Sequence, residues 1–396
     1  MINIIKKITP NFMLNTYHYS ISLLSAIYNM FPSRKIKIIG VTGTKGKSTT
    51  TEIINAILEE AGYKTALSNT IRYKVGNEST PNKYKMSMPG RFFVQNLISK
   101  AVKANCDYLV LEMTSQGVLN YRHKWIELDA LVFTNLSPEH IEAHGSYENY
   151  RNAKLELAKL VSRSSKRPRT IVANEDDIES DKFLAFDAEN KVKFGIKNNI
   201  DTPLLGEFNK YNVSAAFTLC TTLGISEEVA RKAISNFKEV LGRVQFIDIG
   251  QDFKVVVDYA HTTDSLKKLY DAFPNTRKIC VLGGTGGGRD RNKRNEMGKI
   301  ADQYCGEIIL TNEDPYDEDP DVIVNDVASG ITLKKPKIIM DRKMAITEAI
   351  KSAKTNDVIL ITGKGTDPYI MGPNGSKISW SDAEISREIL LNTNRV

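Results

Sequence analysis

The chain has 396 residues, 41% of them apolar, and only 13 prolines; that excludes a disordered or collagen-like chain, exceeds one typical core, and leads us to expect two compact units of unequal size. Its 54 basic residues against 47 acidic ones give a formal charge of +7, modest for this length, so no nucleic acid partner is expected. Cys106, Cys220, Cys280 and Cys305 lie far apart in apolar runs with no CxxC pair, and read as packed thiols of a reducing, cytoplasmic compartment rather than metal ligands. The first thirty residues carry Ile4, Ile5, Phe12, Leu14, Ile21, Leu23 and Leu24, but polar residues interrupt them before a membrane span or a signal-peptide pattern is reached. Within them SISLLSAIYNMF predicts a helix that ends near Pro32. This basic, apolar extension, residues 1–34, offers a surface for a membrane or a partner protein.

Residues 35–50, KIKIIGVTGTKGKSTT, join an apolar strand to a glycine-controlled turn and then to a helix read as running to Ala61. Gly43 and Gly46 permit tight backbone geometry and close approach of an anion; Lys47 compensates phosphate charge, Ser48 offers a hydroxyl to Mg²⁺, and the first amides of the helix face the same anion. A standard phosphate loop has glycine where this chain has Val41, so GTKGKS is a shortened variant. The alternative is an ordinary tight turn with a solvated lysine.

Beyond a turn-rich stretch at 76–89, a helix is predicted over 91–104, strands over 108–113 (YLVLEM) and 129–135 (DALVFTN), and a helix from Tyr147. Helices follow at 212–223 and 227–237. From residue 253 strand and helix alternate regularly through FKVVVDYAH, KICVLGG, EIILTN, PKIIM and DVILITG. The alternation predicts an α/β fold: a central P-loop ATPase-like domain with a mostly parallel sheet over 35–240, then a smaller Rossmann-like α/β domain over 241–396. Ligands of such sheets gather beyond the carboxyl ends of the strands, where Lys47, Glu112 and His140 fall.

Several side chains there invite chemistry. Glu112 closes its strand and can hold Mg²⁺, with Thr114 and Ser115 beside it for a substrate. His140 and His144, four apart in SPEHIEAHG, share a loop with Pro138 and Gly145 that suits contacts to metal, phosphate or substrate better than a zinc pair. Lys154 in NAK reads either as a solvated helical lysine paired with Glu148 or Glu156, or as an amine converted by carbon dioxide to a carbamate that binds a second Mg²⁺. Asn209 and Asn212 suit a helix cap or an adenine. Arg243 after Gly242 offers a guanidinium to phosphate, and Asp258 in DYAH, with His261, a carboxylate to ribose. The run GGTGGGRDRNKR, with Arg289, Arg291, Lys293 and Arg294, suits an anionic substrate or a flexible surface loop.

Taken in order, GTKGKSTT, LEMTSQG, TNLSPEHIEAHG, NAK, LLGEFNKYN, GR, VDYAHTTDSL, GGTGGGRDRNKR and ITGKG resemble the ATP-dependent Mur ligases that build the peptide of bacterial cell-wall precursors, most of all the tripeptide-forming members. The likeness spans nearly all of residues 35–390. It implies a ligase that activates a carboxylate of a muramyl-dipeptide-like acceptor with ATP and two Mg²⁺, forms an acyl phosphate, and lets an amino acid displace phosphate. By this resemblance Gly43, Thr44, Lys45, Gly46, Lys47, Ser48 and Thr49 hold the ATP phosphates, with Asn209 on adenine, Arg243 on phosphate and Asp258 on ribose. Ser48, Glu112, His140 and a carbamate on Lys154 hold metal. Thr114, Ser115, Arg122 and His144 grip the acceptor, and His261, Asp314, Tyr316, Gly363 and Asp367 serve the substrates at the far end.

Two departures stand out. Family members begin with about a hundred residues of nucleotide-sugar-binding domain, where some thirty precede the ATP strand here, so the uridine anchor is expected to be absent or rebuilt, with an N-terminal docking helix, a partner protein or a lipid-carried sugar in its place. Where diaminopimelate-specific members carry Asp-Asn-Pro-Arg, this chain has Glu313, Asp314, Pro315 and Tyr316; losing that arginine removes a bidentate partner for a distal carboxylate, which points to lysine or another amino acid, its ammonium facing Asp367. A folylpolyglutamate-type ligase shares the architecture and the short N-terminus, and a non-catalytic ATP-binding partner subunit is the other alternative. SPEHIEAHG and DYAH favour the cell-wall ligases over the first; Glu112, His140 and Lys154 together disfavour the second.

Overall fold

The computed structural model describes residues 10–139, 141–196, 200–288 and 291–393. They form two compact units, one reaching Pro203 and including Asn209–Phe237, the other made of Leu204–Phe208 and the chain from Lys238 onward.

In the first unit a helix over Asn11–Tyr28 precedes eight strands: β1 (Lys37–Thr42), β2 (Thr65–Ser68), β3 (Arg72–Val75), β4 (Glu78–Pro81), β5 (Tyr108–Glu112), β6 (Ala130–Phe133), β7 (Thr170–Asn174) and β8 (Asn190–Phe194). Their order in the sheet is β4-β3-β2-β5-β1-β6-β7-β8, parallel except for the β2–β3–β4 meander. Strands β5, β6 and β7 are buried along their whole length, as a parallel sheet covered on both faces requires. Helices Arg91–Lys103 and Tyr147–Ser162 supply Val94, Leu97, Ile98, Leu157 and Val161 to the core against Leu109, Leu111, Leu131 and Phe133. The sequence predicts turns over 76–89 and assigns no element to 62–75, so β2, β3 and β4 were not expected there, nor were β7 and β8. All of these are short, and Arg72 and Lys74 in β3 and Lys191 and Lys193 in β8 break the apolar pattern.

The N-terminal helix is longer than predicted. It packs through Ser22, whose hydroxyl donates to the Tyr121 carbonyl at 3.0 Å, and Ser25, which donates to the Arg91 carbonyl at 3.2 Å. Phe12, Leu24 and Tyr28 stay exposed. Among the described residues no helix is long and apolar enough to cross a membrane.

The second unit has β9 (Gln245–Ile247), β10 (Lys254–Val257), β11 (Lys278–Leu282), β12 (Glu307–Leu310), β13 (Lys337–Ile338) and β14 (Val358–Ile361), in the order β13-β12-β11-β14-β10-β9 with only β9 antiparallel. Its two faces bury separate clusters, one around Leu266, Leu282 and Val327, the other around Ile309, Ile346 and Ile359. A hairpin of β15 (Tyr369–Met371) and β16 (Lys377–Ser379) and a helix over Asp382–Thr393 complete it.

One cysteine expectation is corrected. Cys106 and Cys220 are buried free thiols, but Cys280 and Cys305 form a disulfide with Cα atoms 6.0 Å apart. Although 25 residues separate them, the parallel pairing of β11 with β12, Cys280 against Ile308, brings the residue just before β12 back beside β11.

Candidate active site

Strand β1 lies between β5 and β6 and emits its loop where the strand order reverses, the place at which a parallel sheet leaves a crevice. Gly43 has φ +150, and a Cβ there would stand 1.9 Å from Thr134 Oγ1; Gly46 has φ +82, and its Cβ would stand 2.2 Å from Asn212 Oδ1. A side chain at either position would therefore force Thr134 or Asn212 to shift, and the helix Lys47–Glu60 begins directly after the second. Lys47 Nζ donates to the Thr44 carbonyl at 2.9 Å, folded back over the turn. Thr44 Oγ1 pairs with Tyr150 Oη at 3.0 Å, Lys45 Nζ reaches Glu139 at 2.7 Å, and Ser48 and Thr49 are buried at the helix start.

Glu112, at the end of β5, is buried and fully hydrogen-bonded. Ser48 Oγ donates to it at 2.8 Å, the Thr70 amide and hydroxyl at 3.0 Å each, and Ser87 Oγ at 2.8 Å. Burial alone raises its pKa; the Lys47 charge and the bonds from Thr70, Ser48 and Ser87 outweigh that and hold it below the usual carboxylate range. Thr70 and Ser87 escaped the sequence reading because they come from the β2–β4 region, 42 and 25 residues away in sequence.

Lys154 is not on a solvated face. Only 2% exposed, it donates to the Gly43 carbonyl at 2.6 Å and sits 4.8 Å from the Tyr150 ring centre, while Glu148 and Glu156 pair with Arg151 and Lys159 instead. Burial, then the charge of Lys47, push its pKa well below that of a free lysine; Glu139 and Glu112 oppose this. Lys47, Glu112 and Lys154 thus act on one another electrostatically around a single turn. His144 Nε2 lies 3.1 Å from Ser115 Oγ, its pKa lowered by burial and then by Lys154. His140 lies outside the described residues, and among those described no group of three or more His, Cys, Asp or Glu side chains could hold a metal ion. Ser48 and Glu112 supply the hard oxygen donors Mg²⁺ favours.

Thr114 caps the helix Ser115–Leu119, accepting from the Gly117 amide at 3.1 Å. Arg122, just past it, donates to the Met88 carbonyl. Asn212 Nδ2 donates to Asn209 Oδ1 at 3.0 Å, which ties Asn209 to the asparagine that stands against Gly46.

In the second unit four expected segments converge. A Cβ on Gly365 would stand 2.8 Å from the Gly242 carbonyl, 2.8 Å from Tyr259 Cβ and 3.0 Å from Arg243 Nη1. The Arg243 guanidinium stacks 4.3 Å from the Tyr259 ring centre. Asp258 accepts from the Val244 and Ala260 amides, each at 2.7 Å, and His261 Nδ1 lies 2.7 Å from the Tyr259 carbonyl. Gly363 faces Glu313, whose Oε2 would be 2.3 Å from a Cβ there. Asp314 pairs with Lys364 at 2.8 Å, and Asp367 lies 3.6 Å from the same ammonium.

The glycine run is partly structural. Gly286 and Gly287 let Pro315 and Tyr316 pack directly on them, and Arg294, read as a substrate cation, is wholly buried against Glu318 at 2.8 Å and Asp326 at 2.9 Å. Arg291 lies 3.7 Å from Asp326, and Arg289 falls outside the described residues.

Comparison with known proteins agrees with this geometry. Residues 41–202 match the Mur ligase middle domain and residues 242–365 the Mur ligase glutamate ligase domain. A UDP-N-acetylmuramoyl-L-alanyl-D-glutamate–2,6-diaminopimelate ligase of Geobacillus kaustophilus is 33% identical over 411 residues, covering 96% of this chain and 83% of that protein. A solved ligase of the same name superposes with a TM-score of 0.61 at 26% identity, over 91% of this chain and 79% of the other. The folylpolyglutamate synthase of Mycobacterium tuberculosis, at 15% identity and a TM-score of 0.69 over 87% of this chain and 92% of that one, shares the fold. With both domain matches in the expected order, and Lys47, Ser48, Glu112 and Lys154 gathered on one turn, the chain belongs to the Mur ligase family of ATP-dependent ligases.

Proposed function

We propose that this enzyme joins an amino acid to the γ-carboxylate of a muramyl-dipeptide-like acceptor in peptidoglycan precursor synthesis, using ATP. The observation that carries the reading is the cluster of Lys47, Ser48, Glu112 and Lys154 around Gly43 and Gly46, in a chain one-third identical to a ligase named for that type of acceptor.

The glycine turn and the first turn of the Lys47–Glu60 helix cradle the ATP phosphates, and Lys47 leaves the Thr44 carbonyl to meet them. Arg243 and Asp258 serve the nucleotide's phosphate and ribose, and Asn209 its adenine. Ser48, Glu112 and His140 would hold Mg²⁺, two ions by family likeness, whose charge when bound would lessen the negative charge facing the acceptor carboxylate. The low pKa of Lys154 favours the neutral amine, the form that combines with carbon dioxide; the carbamate would convert a repelled cation into an oxygen ligand. The acceptor carboxylate attacks the γ-phosphorus and ADP leaves. The amine of the amino acid then attacks the acyl phosphate and expels inorganic phosphate. Thr114, Ser115, Arg122 and His144 hold the acceptor.

The amino acid is one without a distal carboxylate, lysine being the first candidate, because Tyr316 stands where arginine would grip such a group and Asp367 offers a carboxylate. His261, Asp314 and Gly363 complete that end. The enzyme is assigned to the cytoplasm, where its nucleotide and acceptor are made.

The test is phosphate release by purified protein with ATP, UDP-N-acetylmuramoyl-dipeptide and a panel of amino acids, with dihydrofolate plus glutamate as a parallel arm. Release that depends on both the muramyl acceptor and an amino acid is expected. Release with dihydrofolate alone, or none that depends on both organic substrates, overturns the assignment.

A further inference from the structure

The helix Asn11–Tyr28 turns its small and polar side inward. Ser22, Ser25 and Ala26 are buried, and the two serine hydroxyls tie the helix to the first unit through the Tyr121 and Arg91 carbonyls. The large apolar side chains point the other way: Phe12, Met13, Tyr17, Leu24, Ile27 and Tyr28 are each more than half exposed. At 3.6 residues per turn these six fall within one arc of about 160°. Thr16 and Ser20 are the only small polar residues in that arc, and the helix contains no Asp, Glu, Lys or Arg. A helix on the surface of a soluble protein ordinarily shows the reverse arrangement. The face continues onto the helix Arg91–Lys103, where the exposed Phe92 ring lies 6.2 Å from that of Tyr28 and Asn29 Nδ2 donates to Asn96 Oδ1 at 2.9 Å.

The charge around this face has one sign. Residues 1–51 and 79–106 contain no Asp or Glu, although about one residue in eight of the whole chain is acidic. Lys6 and Lys7, outside the described residues, precede the helix in sequence, and the exposed Lys35 follows it. Lys100 and Lys103, one and two turns beyond Asn96, are exposed on the neighbouring helix. Size separates the occupants such a face could take. A helix of this length, at about 1.5 Å per residue and about 10 Å across, offers roughly 300 Å² on one side, well short of the about 800 Å² that each partner gives a standard protein interface. A bilayer sets no such minimum, because apolar side chains enter the boundary between headgroups and acyl chains while neighbouring lysines meet lipid phosphates. Tyr17 and Tyr28 suit that boundary, where a ring is buried and its hydroxyl stays wet. The helix is not apolar enough to cross the membrane, so an in-plane position is the one left to it.

We infer that the exposed face of the helix Asn11–Tyr28 docks this chain on the surface of an anionic phospholipid bilayer, the helix lying in the interfacial plane.

The test is flotation of the full chain with vesicles of phosphatidylcholine alone and of phosphatidylcholine mixed with phosphatidylglycerol, at low ionic strength. Substrates are left out, so the outcome is separate from that of the ligation assay. Partitioning onto the mixed vesicles should exceed that onto phosphatidylcholine by about tenfold or more, the worth of two basic residues at a charged surface. Leu24→Gln with Tyr28→Gln should weaken it by about tenfold or more, and Phe12→Gln with Tyr17→Gln by a similar factor, since each pair withdraws two large side chains from the boundary. Glutamine retains helix propensity, and all four residues are exposed, so the urea midpoints of both variants should match wild type. A loss of stability in both would mean that the face is packed within the chain, and overturns the inference. Equal partitioning onto the two vesicle types, no binding to either, or binding unchanged in both variants overturns it too. So does a wild-type dimer in sedimentation velocity that either variant converts to monomer, which would give the face to a second copy.

Discussion

Gly46 is where backbone strain, packing and nucleotide binding meet, and Gly46→Ala should separate them. At φ +82 and ψ −12 an alanine incurs the left-handed penalty, about 1–2 kcal/mol. Its Cβ would also fall 2.2 Å from Asn212 Oδ1, so Asn212 must move and lose its bonds to Thr50 at 3.4 Å and Asn209 at 3.0 Å, worth about 1 kcal/mol each at most. The single variant should therefore lose about 3 kcal/mol. Asn212→Ala alone gives up the same two bonds, about 2 kcal/mol. In the double variant the clash has gone and those bonds are counted only once, so it should be no less stable than Gly46→Ala, a departure from additivity of about 2 kcal/mol. The chain has two tryptophans. Urea titration read by Trp125 in a Trp380→Phe background reports on this unit alone. ADP affinity should fall with Gly46→Ala, because the turn sets where Lys47 and Ser48 begin the helix. Strict additivity of the two substitutions would refute the argument that Asn212 enforces glycine here.

Three further outcomes are expected. Lys154→Ala should lower turnover by about 10- to 100-fold, in the range for a lost metal-organising group, and short carboxylic acids should restore part of it; full turnover without added acid would contradict a carbamate. Lys364→Met leaves Asp314 buried without its cation and should cost about 3–5 kcal/mol in urea titrations read by Trp380, with Asp314→Asn in the same chain recovering most of the loss. His123, 2% exposed, has its pKa pushed down to about 4 by burial and then by Lys124. A depressed folded value contributes stability that is whole above pH 6.5 and is lost as pH falls toward 4, at about 1.4 kcal/mol per pH unit. Wild type should therefore lose about 2 kcal/mol more than His123→Phe between pH 6.5 and pH 5, and parallel pH profiles would count against it.

How far the site was legible depended on how far its parts lie apart in the chain. The strand, glycine turn and helix at residues 37–60 are contiguous, so residue order alone placed Lys47 and Ser48 at a helix start. Glu112 was legible because strand β5 is apolar until that residue. Its partners Thr70 and Ser87 were not: Thr70 reaches the end of β5 because β2 pairs with it in parallel, Ser68 against Leu111, and Ser87 follows the antiparallel turn-back of β3 and β4. Lys154 carried no local sign of burial: its helix is amphipathic in the usual way, and only tertiary packing sets that position under the Gly43 carbonyl.

The misread residues follow the same logic. Arg294 looked like a substrate cation because it stands in a basic, glycine-rich run, yet its partners Glu318 and Asp326 lie 24 and 32 residues further on. Cys280 and Cys305 looked independent until parallel pairing of β11 with β12 closed the interval.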